Sequence, residues 1–360
     1  MGNKAKDIII PKEKGVFRTV FLYVGQGDAT LLIIPEGEKF KYVLIDTNND
    51  KKNEGIDIQR LLKDLLGDNS LDVFINTHPH DDHLVGIKAI HEKVGVAEIW
   101  HSGHKPGKDH DDAYKEMQEV IKNIGKSNEY ILFGTNDLNK IRDSDKETEV
   151  IKKIGDVDFQ VFSPAEYVAD DVQDEDQETR YKRIHEHCAV IRFSYGNDTS
   201  KNHVMITGDS DKTAWKEHIT DYHKDNLPAK VLSASHHGSR TFFKTDEDDE
   251  EPFEKHIKKI KPQYVVISAP KKTESKHDHP HDDAIKLYEN HVEKDNIFHQ
   301  GKNRICVIVD IKSDGTLSVK TDSELVKEYK FKDGDDTKNE SKSYKNIGIV
   351  TTRLDTKPMG

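Results

Sequence analysis

Residues 71–87 read "LDVFINTHPHDDHLVGI", and the fold turns on how that stretch is taken. "LDVFIN" is short, apolar and β-branched, as a buried strand is. The "LVGIKAIHEKV" run from residue 84 spaces Leu84, Ile87, Ile90 and Val94 along one helical face. Between them stand His78, His80, Asp81, Asp82 and His83, five side chains able to bind a metal where a strand meets a helix. In extended chain His78 and His80 project to the same side. Asp82 and His83 fall as the chain turns into the helix and can aim elsewhere, so one loop can serve two adjacent ions. The chain carries 20 His in 360 residues. A solvated His-rich turn is therefore the plain alternative, and other ligands at matching places decide against it.

Four further strand ends carry such groups: Asp46 in "LIDT", His187 in "EHCAV", Asp209 in "ITGD", and His236 and His237 in "SASHHGS". For Asp209 a helix N-cap is the alternative. Strand patterns over 16–24, 29–35 and 41–47 precede an amphipathic helix over 55–67. Strands at 96–103 and 156–164 enclose a helix at 111–125, while 136–150 reads as polar loop. Strands over 187–196 and 202–211, a helix to about 219 and a strand over 229–239 follow. A helix in "PFEKHIKKI", a strand in "QYVVISAP", a loop and helix over 277–291 and a hairpin of "RICVIVDI" with "LSVKTD" close the pattern. Both halves place strands first and strand–helix units after them. That implies two β-sheets between helices, an α/β fold of αββα layering. The domain is expected to span 1–325, with a polar tail over 326–360 that holds one strand at 347–353.

Composition narrows the function. The chain is 34% hydrophobic and 34% charged with a net charge of −12. That balance argues against sequence-independent nucleic-acid binding over the whole surface. The acid gathers in "ADDVQDEDQE" (169–178) and "DEDDEE" (246–251), read as solvated loops. No apolar run approaches the ~20 residues that span a bilayer, and "MGNKAKDIII" has no signal-peptide core. With Cys188 and Cys306 as the only cysteines, a disulfide framework is not expected, and a reducing cytoplasm fits. His101, His104 and His110 are expected at the surface.

The order and context of these five motifs resemble the metallo-β-lactamase superfamily over about 16–319. "VGQGDATLL", "HCAVIRF", "TGDSD", "SASHHGS" and "HPHDDAIKLY" are together similar to the metallo-β-lactamase domain of the bacterial competence DNA-channel protein. Here "DHPH" stands where that group has "GHPH", and the channel's membrane helices are absent. The resemblance implies a metallo-β-lactamase-type αββα sandwich with two divalent ions, zinc or else manganese. It implies Asp46 as an anchor beside the loop, and His78, His80 and His187 as ligands of one ion. Asp82, His83 and His236 would hold the second, with Asp209 bridging. His187 is preferred with His185 as the alternative, and His236 is preferred with His237 as the alternative; Asp82 and His237 are also expected to take part in catalysis.

Two ions ~3.5–4 Å apart would share a hydroxide that attacks an ester. The branch implies a phosphodiester, in a nucleic acid or nucleotide, as substrate. A lactonase, thioesterase or lactamase on the same metals is the alternative, as is a partner-dependent subunit of a multi-gene bacterial defence complex. Asp28 in "GQGD" is expected near the substrate, though an ordinary hairpin turn explains that stretch too. Lys271, Lys272 and His281 are expected as substrate contacts, with surface lysines and a helix-capping loop as the plainer readings. His279 is expected to be the general acid or a phosphate contact.

Overall fold

The computed structural model of the chain describes residues 3–107, 111–171, 175–245 and 251–332. Its strands are β1 (Val16–Phe21), β2 (Thr30–Glu36), β3 (Lys39–Ile45), β4 (Leu71–Asn76), β5 (Val96–His101), β6 (Glu129–Ile131), β7 (Lys140–Asp143) and β8 (Thr148–Ile151), then β9 (Asp158–Ser163), β10 (Val190–Tyr195), β11 (Asn202–Ile206), β12 (Val231–Ser233), β13 (Tyr264–Ile267), β14 (Ile297–His299), β15 (Cys306–Lys312) and β16 (Leu317–Asp322). Its α-helices are α1 (Lys4–Ile9), α2 (Ile58–Leu66), α3 (Ile87–Val94), α4 (Asp111–Ile124), α5 (Glu166–Asp171), α6 (Gln177–Arg183), α7 (Lys255–Ile260), α8 (Asp282–Glu289), α9 (Gln300–Asn303) and α10 (Glu324–Tyr329), and a π-helical turn covers Ala214–Ile219. One sheet runs β16-β15-β1-β2-β3-β4-β5-β6-β7-β8 and the other β14-β13-β12-β11-β10-β9.

Alternate side chains of each strand face different layers. Phe17, Leu32, Val43 and Ile75 of the first sheet face Phe159, Val161, Phe193 and Val231 of the second. Alternate positions, Val20, Leu31, Leu44 and Phe74, face Leu61, Ile87 and Met117 of the helices α2, α3 and α4. On the far side Met205, Leu232 and Val265 meet Trp215, Ile257, Ile260 and Tyr288. The order is helix, sheet, sheet, helix. Strands covered on both faces read as continuous apolar runs, which is why "LDVFIN" shows no alternation. In α2 the Asp57 side chain accepts the Arg60 N–H at 3.1 Å as an N-cap, and Leu61, Leu62, Leu65 and Leu66 are buried. Each such leucine contributes about 1.5–3 kcal/mol relative to exposure.

Strand directions gather the motifs at one edge. β3 and β4 are parallel, as are β11, β12 and β13, so their carboxyl ends open together. β10 runs antiparallel to β11, and its amino end opens there as well. Motifs therefore follow β3, β4, β11 and β12 but precede β10.

The stretch read as loop over 136–150 instead contains the β7–β8 hairpin, in which Lys140 pairs with Ile151. It is an edge ribbon whose exposed face carries few apolar residues. α10 buries Leu325, Val326 and Tyr329 against the first helical layer, and Ile56 bridges Lys330. The division expected at 325/326 thus falls inside a helix. The strand expected at 347–353 and most of the acid over 246–251 lie outside the described residues. No helix among the described residues is long and apolar enough to cross a membrane.

Candidate metal centre

Asp46 organises the first half of the site. It follows β3 with φ 56°, in the left-handed region. Its carboxylate accepts the Thr77 N–H at 2.8 Å and the Thr77 hydroxyl at 2.6 Å. The same Oδ2 accepts the Nδ1–H of His83 at 2.8 Å. With Thr77 Oγ1 turned to Asp46, its free lone pair meets His78 Nδ1 at 3.2 Å. Both rings thereby aim Nε2 inward, toward the place a metal would take. Thr77, which links Asp46 to His78, has no place in the sequence expectation. Its one signal is its place between strand and first ligand.

The second half delivers Asp209 and the "HHGS" loop. Asp209 N–H points at Cys188 Sγ at 3.2 Å, and Gly208 before it has φ 47°. His236 and His237 are both left-handed, at φ 49° and 55°. His237 donates Nδ1–H to the Ser268 carbonyl at 3.0 Å, which fixes its Nε2 toward the site. Ser268, at the end of β13, also donates its hydroxyl to the Gly27 carbonyl at 2.7 Å, tying the "GQGD" turn down. No sequence signal marked it.

Two groups of ligand atoms result, each within 4.8 Å of one another: His78, His80, His185 and Asp209, and Asp28, His83, Asp209 and His237. Asp209 belongs to both through different oxygens. Its Oδ2 lies 3.7 Å from His78 Nε2 and 3.9 Å from His185 Nε2. Its Oδ1 lies 3.2 Å from His83 Nε2 and 3.5 Å from His237 Nε2.

Several placements differ from the sequence expectation. His185, not His187, joins the first group. Past the end of α6 at Arg183 the chain makes a turn, with the His187 N–H on the Arg183 carbonyl at 3.1 Å, and β10 starts only at Val190. Within that turn His187 faces away from the site and toward His104, Nδ1 to Nδ1 at 2.8 Å. His237, not His236, joins the second group. His236 is held by the Thr241 hydroxyl at 2.9 Å and faces the mouth, its ring 4.3 Å from His185. Its Nε2 still lies 3.6 Å from Asp209 Oδ2.

Asp82 stands beside the second group, with Oδ2 3.2 Å from His237 Nε2 and Oδ1 4.0 Å from His83 Nε2. Asp28, expected near substrate, sits among the ligands. His279 is buried at the mouth, 5.1 Å ring to ring from His236. His281 is engaged, its Nδ1 accepting the Arg240 N–H at 3.0 Å. Lys272 pairs with Asp282 at 2.7 Å, and Lys271 is exposed. His101 and His104, expected at the surface, are buried; His101 holds Glu129 at 3.0 Å. His110 lies outside the described residues.

Charges within the site oppose burial. Burial alone would raise Asp209, but His237, His83 and His236 hold it well below the carboxylate range. Burial pushes Asp28 up to about 6 against the pull of His237 and His83. Burial disfavours a charged His237, yet Asp209, Asp82 and Asp28 raise it to about 9. Asp209 and Asp46 likewise outweigh burial at His83 and raise it well above the imidazole range. Burial lowers His78, His185 and His236.

The Nε2 atoms of His78 and His185 are buried without a hydrogen bond, and those of His83 and His237 meet only the carboxylates of Asp209 and Asp82. Each such group costs about 1–3 kcal/mol. Divalent cations satisfy all of them at once, and an imidazole and carboxylate donor set suits zinc or manganese. The residues fit two ions.

The family model described as the metallo-beta-lactamase superfamily matches residues 22–165. The match takes in Asp28, Asp46 and the 78–83 loop; the second half of the site lies beyond it. No curated protein matches the chain. Among solved structures, the metallo-beta-lactamase fold protein YhfI from Bacillus subtilis is 14% identical with a TM-score of 0.41, covering 84% of this chain and 100% of that one. Igni18, a metallo hydrolase from Ignicoccus hospitalis, is 14% identical with a TM-score of 0.40, covering 76% and 91%. CmlA, a diiron beta-hydroxylase from Streptomyces venezuelae, is 10% identical with a TM-score of 0.40, covering 78% and 51%.

Proposed function

We propose that this chain, which carries a metallo-β-lactamase superfamily domain, is a two-metal hydrolase that cleaves phosphodiesters. The observation that carries the reading is the division of Asp209 between two ligand groups, one oxygen facing each. His78, His80 and His185 would hold one ion, and Asp28, His83 and His237 the other, with Asp82 beside them. When bound, the ions supply Lewis acidity, which acidifies water and neutralises charge developing on phosphoryl oxygens.

The chain's own residues do the rest. Asp46 and the Ser268 carbonyl fix the ring orientations of His83 and His237. His236 and His279 line the mouth, where an ester oxygen would come to rest. Burial, and then the neighbouring His237, push His279 down to about 3. A ring that is neutral at pH 7 has no spare proton for a basic leaving group, but it keeps an N–H for a phosphate oxygen. The phosphate-contact role is therefore preferred over the general-acid role.

Three cations near the mouth are paired, Arg240 with Asp283 at 3.0 Å, Lys244 with Asp283 at 3.8 Å and Lys272 with Asp282 at 2.7 Å, while Lys271 is exposed. Neutralised pairs attract a polyanion weakly, which favours a small diester over a nucleic acid.

The test is a panel on metal-loaded protein: bis(p-nitrophenyl) phosphate, nucleotide diesters, single- and double-stranded nucleic acids, a β-lactam and a lactone. Small diesters should turn over fastest, and chelation should abolish the activity. Turnover of the lactone with none on any diester would overturn the reading. Two bound ions without activity on any member would favour a subunit that needs a protein partner.

A further inference from the structure

The ligand rings are not all held alike. Nδ1 of His83 is fixed by Asp46 at 2.8 Å, that of His237 by the Ser268 carbonyl at 3.0 Å, and that of His78 by Thr77 at 3.2 Å. Among the described residues nothing bonds Nδ1 of His185. The aim of that ring rests on the backbone turn between α6 and β10.

That turn is clamped two residues further on. His187 is fully buried, and its Nδ1 meets Nδ1 of the equally buried His104 at 2.8 Å. Of two facing ring nitrogens one must carry the proton and the other the lone pair, so the contact is a single directed hydrogen bond. Its members come from different halves of the sandwich. His104 follows β5 of the first sheet, after Gly103 at φ 76°; His187 precedes β10 of the second. On the far side of the clamp the Ala189 N–H binds the Thr77 carbonyl at 2.8 Å, next to His78. The bond therefore fixes the turn bearing His185 relative to the strand end bearing His78 and His80.

We propose that His104 is a positioning residue for the His78/His80/His185 site: through His187 it sets the backbone that presents His185, without touching the ion. The proposal rests on the two-ion reading of the site. Outer partners of metal ligands typically govern affinity by about 10–100-fold. A loss of that size at one site, with the other unchanged, is the expected signature.

The test uses the full chain stripped of metal, titrated with Zn²⁺ against a chromophoric chelator and separately loaded with Co²⁺ to read the ligand field. Absence of any metal binding by the unaltered chain would overturn the site reading, and the proposal with it. Where two ions bind, His104→Ala should weaken one by about 10–100-fold and shift its Co²⁺ spectrum. His104→Asn, whose amide reaches the place of Nδ1, should restore both. A folded His104→Ala chain with unaltered affinities would overturn the proposal. Equal weakening of both ions without rescue by His104→Asn would also overturn it, since that marks general loosening. If His104→Ala does not fold, His187→Asn decides. The substitution keeps the bond to His104, so near-normal affinity supports the proposal. Loss of an ion as complete as in His185→Ala makes His187 itself a ligand and overturns it.

Discussion

A single carboxylate separates this site from a cluster of histidines. Asp209 offers Oδ2 to His78 and His185 and Oδ1 to His83 and His237, and that division is what two ions require. The grouping of His78, His80 and His83 follows from "HPHDDH", since short spacing on an extended loop maps to direction in space, while Asp82, expected as a ligand, stands beside the second group. His185 and His237 were legible only as alternatives. No residue between 183 and 190 marks where helix gives way to strand, and two left-handed histidines in a row reverse the order of inside and outside. His279 offers the sharpest test at this scale. Its Nδ1 is buried without a hydrogen bond, and burial together with His237 lowers its pKa to about 3. Below the pKa the ring would be charged, and above it neutral, so its contribution should be constant from pH 5 to 8. His279→Ala should lose one hydrogen bond to a charged oxygen, about 1.5–3 kcal/mol, or about 10–100-fold in kcat/KM. The loss should be equal for nitrophenyl and alkyl diesters at unchanged metal content. A much larger loss on the alkyl diester would restore the general-acid role.

At the scale of elements, close approach of turns builds the site, and glycine permits it. Gly208 sits at φ 47° after β11, and a Cβ there would lie 2.6 Å from both Cys188 Sγ and Thr77 Oγ1. Gly37, in the β2–β3 turn, has φ 57° with nothing within 4 Å of such a Cβ. Gly37→Ala should therefore cost only the left-handed penalty, about 1–2 kcal/mol. Gly208→Ala adds overpacking of about 1–3 kcal/mol. Denaturant unfolding in the presence of chelator measures the difference without bound metal; equal losses would mean that the "TGD" turn yields without strain. The same elements show how far sequence reaches. β4 and β16 begin and end where the pattern puts them, since apolar runs bounded by polar residues mark a doubly covered strand and a terminal hairpin. The β7–β8 ribbon was hidden. Of its described side chains Ile141 is the buried aliphatic one and Ile151 is exposed, so neither alternation nor an apolar run announced it.

Over the whole molecule the site lies on the seam between the two sheets. His78, His80, His83 and Asp28 come from the first sheet's loops, and His185, Asp209 and His237 from the second's, so each ion would join both halves. Metal that binds only the folded chain stabilises it by about 2.7 kcal/mol per site at a hundred times Kd. With two sites and a few degrees per kcal/mol, chelation should lower Tm by about 10 °C. The gap should also depend on pH. In the metal-free chain burial opposes protonation of His237, but Asp209, Asp82 and Asp28 raise its pKa to about 9. Below that value the ring holds a proton that the ion has to displace, so apparent affinity weakens as pH falls. The difference in Tm with and without chelator should therefore be smaller at pH 6 than at pH 8, and Asp209→Asn should lose most of it at both. Scanning calorimetry at the two pH values reads all four numbers. A chain shown by elemental analysis to hold two ions, yet melting at the same temperature after chelation, would place those ions away from the seam.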